Sequence, residues 1–366
     1  MIKYNKRLQK MNELNLFYYK KFSGKYIIYG KDGIGKEYKF RSNKVIYEGE
    51  YLYGERNGEG KEYDNKGRLR FEGNFLDGKR NGKGEEYSEK GKSEFEGEYL
   101  FGKRWKGYSK KFYPNGQLEL ECEYSNGKLN GIVKEYYQNF INSLKFEGEY
   151  LNGKRNGEGK EYGENYKLKF EGRYLNGIRF GKGKEYYDRG GIEFKGFYRN
   201  GKRNGKGKEY YFGGGIKFEG EYLNGKRNGK GKEYLDGKLL KRNVDEENKI
   251  KKNYIIFEGE YLDGIRHGKG KEYYYEGIIK FDGEYLYGKK NGKGKEYNEY
   301  GQLIFEGEYS DEKRNGKGKE YNDSGQLLYV GDYLNGKRNG KGTEYKNGKI
   351  LFKVKYSNGK RINILN

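Results

Sequence analysis

Four groups of residues in this 366-residue chain are of types that do chemistry. His267 is the only histidine and Cys122 the only cysteine. A Ser-His-Asp or Cys-His relay needs a histidine oriented by a third group, and a histidine metal site needs several ligands at set spacing. His267 stands in IRHGKG where sister segments read KRNGKG, so it reads as a solvated turn residue. GKRNGKGT at 336–343 has the glycines of a phosphate-binding loop, without the four-residue spacer before Gly-Lys-Ser/Thr or a following helix. Glu306 and Glu308 form a spaced carboxylate pair beside lysines that recurs along the chain, which marks solvated surface and not an acid–base dyad. The expectation is a non-enzymatic chain with no catalytic residues, cofactor, metal or small-molecule substrate.

What recurs is a part. FEGEYLNGKRNGKGKEY at 218–234 reappears at 146–162 with only Glu158 changed. Counting the first aromatic as position 1, repeats start at Phe22, Tyr47, Phe71, Phe95, Leu120, Phe146, Phe170, Phe194 and Phe218. They resume at Phe257, Phe281, Phe305, Tyr329 and Phe352, mostly 24 residues apart. Position 5 is Tyr or Phe throughout, position 1 is aromatic except at Leu120, and position 17 is aromatic wherever a repeat reaches it, except in the Phe95 repeat, where the ring, Phe112, comes one residue later. In LIFEGEY at 303–309 a period of two puts Leu303, Phe305, Gly307 and Tyr309 on one face of a strand. KGKEY at 317–321 is the partner strand, and the NG-rich segments between strands close hairpins. Strict alternation sets Lys317 and Lys319 beside Tyr321, a conflict for a buried ring that a bulge at 316–318 would relieve.

These repeats predict an all-β fold: stacked β-hairpins in an elongated, twisted antiparallel sheet, each held by its neighbours. The rings expected to pack are Phe146, Tyr150 and Tyr162; Phe218, Tyr222 and Tyr234; and Phe257, Tyr261 and Tyr273. High charge and 32% hydrophobic content would signal disorder, but 17% aromatic residues oppose it, because rings bury large areas each. One cysteine forbids an intramolecular disulfide, and no run is long enough for a signal peptide or membrane span. A cytoplasmic chain, at most peripheral at a membrane, is expected.

FEGEYLNGKRNGKGKEY resembles the MORN repeat (membrane occupation and recognition nexus), with its aromatic-x-Gly-x-aromatic, x-x-Gly and Gly-x-Gly elements. The resemblance runs from Phe22 to about Arg361. LECEYSNGKLNGIVKEY departs from it, with Cys122 for the first Gly and Ile132-Val133 for Lys-Gly, and looks like the divergent variant common in bacteria. The resemblance implies an elongated sheet of hairpins that often self-associates.

The expected organisation is an N-terminal extension or cap (1–21), repeats over 22–234, a charged insertion loop (235–256), repeats over 257–361, and a tail (362–366). The insertion could divide the array into two blocks. With a net charge of +23, cations gather at one turn of each repeat and should stack into a basic rail: Lys154-Arg155, Lys202-Arg203, Lys226-Arg227, Lys313-Arg314 and Lys337-Arg338. Solubility and edge protection explain such a rail. Acidic phospholipid, an acidic protein and, less favoured, nucleic acid are the other readings, and no apolar wedge is seen beside the lysines. The function expected is a scaffold for protein partners or for self-association as a homodimer, with acidic membrane binding as the alternative.

Overall fold

The computed structural model describes residues 24–30, 34–138, 140, 143–236 and 254–365. The expected N-terminal cap and most of the insertion loop lie outside the described residues. The chain divides into two compact units, residues 1–167 with 174–177, and residues 168–173 with 178–366. Among the described residues the chain has 28 strands, and each unit is built from antiparallel neighbours in chain order, paired as hairpins.

The Phe218 repeat shows why this sequence folds so. Its strands, Ile216–Leu223 and Lys226–Tyr234, are joined by Asn224 and Gly225 at φ of 52° and 92°. Leu223 pairs with Lys226 across this two-residue turn, the geometry whose twist matches that of the strands and which Asn-Gly tolerates best. Phe218 pairs with Glu233 and Tyr222 with Arg227, so these four share one face. Glu219 and Lys232 pair on the other.

In most repeats each ring of the first face packs twice. Phe218 meets Tyr222 of its own repeat at 5.7 Å between centroids and Tyr261 of the next at 5.1 Å, both edge-to-face. In the second unit this hand-off runs unbroken from Phe170 with Tyr198 to Tyr329 with Tyr356. In the first unit it runs from Tyr29 with Tyr51 to Phe95 with Tyr124, and resumes at Phe146. The position 1 rings are fully buried from Tyr47 to Tyr329, except at Leu120. Gly231 lies flat beneath Phe218, and a Cβ there would stand 2.4 Å from the ring.

Two expectations are corrected by the register. Tyr297 pairs with Leu303 and Glu296 with Phe305, leaving Ile304 as an extra residue. This bulge moves Leu303, and with it the position 17 tyrosine, to the face opposite Phe305. Tyr162, Tyr234 and Tyr273 therefore belong to a second row, buried at Tyr234 and half-buried at the other two, among the Lys and Glu pairs. The other bulge sits at the expected Gly-x-Gly, where Asn315–Lys317 oppose Glu308 alone. It adds two residues and preserves parity, so Lys319 and Tyr321 do share a face. No conflict follows, because that tyrosine is not in the buried row.

The insertion does not interrupt the ladder. Glu233 pairs with Phe257 and Tyr234 with Ile255, as in any other junction between repeats.

Tyr222→Ala and Tyr261→Ala each remove a ring with two edge-to-face partners. Each substitution should cost more than about 3 kcal/mol in urea unfolding. Curves that superimpose on wild type would refute the ring ladder as the core.

Candidate functional site

The residues singled out for chemistry are not brought together. Among the described residues no group of three His, Cys, Asp or Glu could hold a metal ion. His267 lies half-buried in the strand Ile265–Tyr273 with its ring 6.0 Å from that of Tyr287, which corrects the solvated turn residue expected. Cys122 is fully buried, and burial pushes its thiol up to about 11, so it packs as a small core residue. GKRNGKGT supplies a turn and then the strand Lys337–Lys346. Glu306 forms ion pairs with Lys295 and Lys319, while the Glu308 carboxylate covers the bulge at Gly316. The two act apart.

The rail residues separate into two sets. Lys154, Lys202, Lys226, Lys313 and Lys337 are exposed at the turns, as expected. The arginines beside them turn inward. Arg155, Arg203, Arg227, Arg314 and Arg338 lie over the position 1 rings of their own repeats, 3.9–4.4 Å from the centroids. Position 10 pairs with position 5 on the ring face, whereas position 9 pairs with position 6 on the other, so adjacent cations face opposite ways. The arginines do not belong to the rail.

Their partners form a ladder that the sequence reading missed. In most repeats the position 10 cation reaches the position 16 glutamate of the preceding repeat: Arg56 to Glu37, Arg80 to Glu62, Arg104 to Glu86, Arg155 to Glu135, Arg227 to Glu209 and Arg266 to Glu233, at 2.5–3.0 Å. Arg203 and Arg314 do the same with Glu185 and Glu296, and Lys290 with Glu272. Several cations also touch the glutamate of their own repeat, as Arg227 does with Glu233 at 3.1 Å. The position 5 hydroxyl adds a donor: Tyr222 donates to Glu209 at 2.8 Å and Tyr333 to Glu320 at 2.9 Å. Burial alone would push the Glu209 carboxyl up, but Arg227, Tyr222 and Arg203 outweigh it and hold it below the usual 4.5. Burial likewise opposes, and Arg104 and Arg80 overcome, the same shift at Glu86.

The Leu120 repeat shows that cation and carboxylate go together. Its position 10 is Leu129, and the residue of the preceding repeat that pairs with Phe95 is Ser109 in place of glutamate. Phe gives way to Leu120 and the close-approach glycines to Cys122 and Val133, both fully buried. Deleting one partner would strand a charge against the rings; deleting both leaves none. Tyr150, next in line, is half-buried because Leu120 offers it no ring.

A family model describing the MORN repeat matches residues 47–68, 71–93, 146–167, 170–192, 194–216, 218–237, 257–278, 281–298, 305–326 and 329–350. The chain belongs to the MORN repeat family. These MORN segments make up more than half of it, and the two repeats left out between 93 and 146 are those where the ladder changes chemistry. The MORN repeat is a non-catalytic repeat type. None of the curated proteins matches the chain. Among solved structures, the crystal structure of TcdB2-TccC3-Cdc42 is similar over 91% of this chain and 20% of its own, at 9% identity and a TM-score of 0.18. The Tc holotoxin pore of Photorhabdus luminescens with the TccC3-D651A mutation matches over 83% and 16%, at 11% identity and a TM-score of 0.17. The chain thus spans a fifth or less of those chains.

Arg227→Leu alone leaves Glu209 buried beside an apolar group and should cost about 3 kcal/mol or more in urea unfolding. Combined with Glu209→Ser, which copies the Leu129 and Ser109 pair, more than half of that loss should return. Strictly additive effects would show that the pair is not coupled.

Acid should melt the array through the same ladder. Each carboxyl held low in the fold contributes stability that is present above its unfolded value near 4.5 and lost as pH falls through the folded value. The midpoint of thermal unfolding should fall steadily below pH 4.5 and stay nearly level from pH 5 to 8. A midpoint unchanged in acid would remove the ladder from the stability argument.

Proposed function

We propose that this MORN array is a non-enzymatic scaffold that binds protein partners or a second copy of itself through its second face and turn edge. One observation carries the reading. At turn after turn the position 6 leucine stands about half-exposed: Leu52, Leu151, Leu223, Leu262 and Leu334 are 44–53% accessible. The ring face satisfies its own apolar groups, so this row is surplus to folding. Periodic apolar surface on a monomer is uncommon and suits association. Three turns add to it at a cost in backbone strain. Tyr53, Phe101 and Tyr287 occupy the turn position usually held by Asn or Asp, at φ of 48–51°, with their rings in solvent. Bulky residues seldom adopt that conformation, and strain of this kind gathers at functional positions.

Peripheral binding to acidic phospholipid is the second reading, and the same turns favour it. The exposed Leu223 stands directly across from Lys226, so the apolar group that the sequence reading did not find beside the lysines is there. Among the described residues, no helix is long and apolar enough to cross a membrane.

Light scattering and vesicle co-sedimentation separate the two. The scaffold reading expects a defined oligomer at micromolar concentration, reduced to monomer by Leu223→Asp with Leu262→Asp and Leu334→Asp, and no pelleting with phosphatidylserine vesicles at about 0.15 M salt. A monomer at every concentration that pellets with those vesicles would favour the membrane.

A further inference from the structure

In many repeats a position 15 lysine faces a position 2 acid across the strands of the second face, as Lys208 faces Glu219 at 3.0 Å and Lys232 faces Glu258 at 3.2 Å. The pairing is broken by acids where Glu85 lies between Glu72 and Glu96, and by cations around Lys195. In the Phe194 repeat position 2 is Lys195, whose cross-strand neighbours are Lys184 on one side and Lys208 on the other. Three lysines therefore lie in one row across three strands. Like charges directly opposite are destabilising, so folding gains nothing from this arrangement. Lys184 and Lys208 have their own carboxylates, Glu171 and Glu219, on the sides away from Lys195.

Position 4, an acid in most repeats, changes in the same place. It is Arg173 in the Phe170 repeat and Phe197 in the Phe194 repeat, and position 6 of the latter is Arg199 instead of leucine. Phe197 pairs with Lys182, whose Nζ lies 5.9 Å from the ring centroid. Phe180 takes the place of the usual Asn, and Ile178 that of the usual turn lysine. Ile178, Phe180 and Phe197 are 43–49% exposed. Residues 170–210 hold eleven cations and five carboxylates, and with Arg179, Arg203, Glu185 and Glu209 turned to the ring face nine cations and three carboxylates remain, so this surface is both basic and apolar.

We infer that this patch docks a short, extended, acidic protein segment with apolar anchors. The inference rests on the scaffold reading and names the chemistry of a partner. Charge complementarity selects an anion, and the aliphatic and aromatic groups among the cations select one that carries apolar side chains. The patch is short. Glu219 and Glu221 return on the same face in the next repeat, and two repeats span about 20 Å, room for roughly six extended residues. A long polyanion such as single-stranded nucleic acid would run onto those carboxylates.

The test uses the full chain and a fluorescein-labelled octapeptide alternating Glu with Leu, read by anisotropy at about 0.15 M salt. Lys195→Glu with Phe197→Glu installs the residues most repeats carry, so the double variant should fold, and its melting temperature should match or exceed wild type. Binding should weaken by at least about tenfold in that variant and stay within about twofold in Lys269→Glu, a control in another repeat. A Gln-for-Glu peptide should bind at least about tenfold more weakly than the Glu peptide. Equal binding of the Glu peptide by wild type and the double variant would overturn the inference. So would an eight-residue oligothymidylate that binds more tightly than the peptide and is lost in the double variant. A monomeric chain that pellets with phosphatidylserine vesicles yet discriminates the peptides would defeat self-association through the leucine row and leave the patch standing.

Discussion

The contact that the structure depends on is the edge-to-face meeting of a position 1 ring with the position 5 ring of the next repeat. A hairpin of this composition has no aliphatic core and would be marginal alone. Each ring-to-ring contact contributes about 0.5–1.5 kcal/mol beyond burial, and each position 1 ring that makes two of them is closed off from water completely. The backbone glycines follow from this. A flat ring against the strand leaves no room for a Cβ, which is why Gly220 and Gly231 face one another beneath Phe218. Where the ring becomes Leu120, the glycines become Cys122 and Val133, and the volume is refilled from the other side.

The polar half of the ring face obeys the same nearest-neighbour logic. An arginine over an aromatic ring gains a cation–π contact, and its guanidinium then needs a carboxylate where little water reaches. The glutamate comes from the preceding repeat, so most junctions are closed by a ring, a cation and an acid from two hairpins. The acid of one repeat and the cation of the next are chemically one unit although 18 residues separate them, as Glu209 and Arg227 do. The joint replacement by Ser109 and Leu129 is intelligible only on that view.

The hairpin period, the Asn-Gly turns and the ring rows at positions 1 and 5 were legible in the sequence, because period-two alternation and positive-φ residues act locally. Which face Tyr234 takes was not, because a single bulge residue, Lys217 or Ile304, flips the parity of everything before it. Nor was the fate of the arginines. Lys226 and Arg227 are alike in charge and adjacent in sequence, and only the pairing of Tyr222 with Arg227 sends one inward and the other out. A signal was present all the same: Arg and Glu recur six residues apart in repeat after repeat, and Leu129 is the one apolar residue at the arginine position.

With the arginines withdrawn, the function of the surface rests on what folding leaves unspent. Lysine and glutamate pairs on the second face neutralise one another at short range and contribute little individually. They make most of the array a mild surface, on which departures stand out. Repeats that differ at a buried position, as at Leu120, differ so that the core still closes. The repeats around Lys195 and Phe197 differ where nothing in the core requires it, and in the direction that worsens local electrostatics. In a structure stabilised by contacts between adjacent repeats, such a change is felt over one or two hairpins and no further. A MORN array can therefore carry a specific binding surface in one or two repeats without disturbing the rings that hold the rest together.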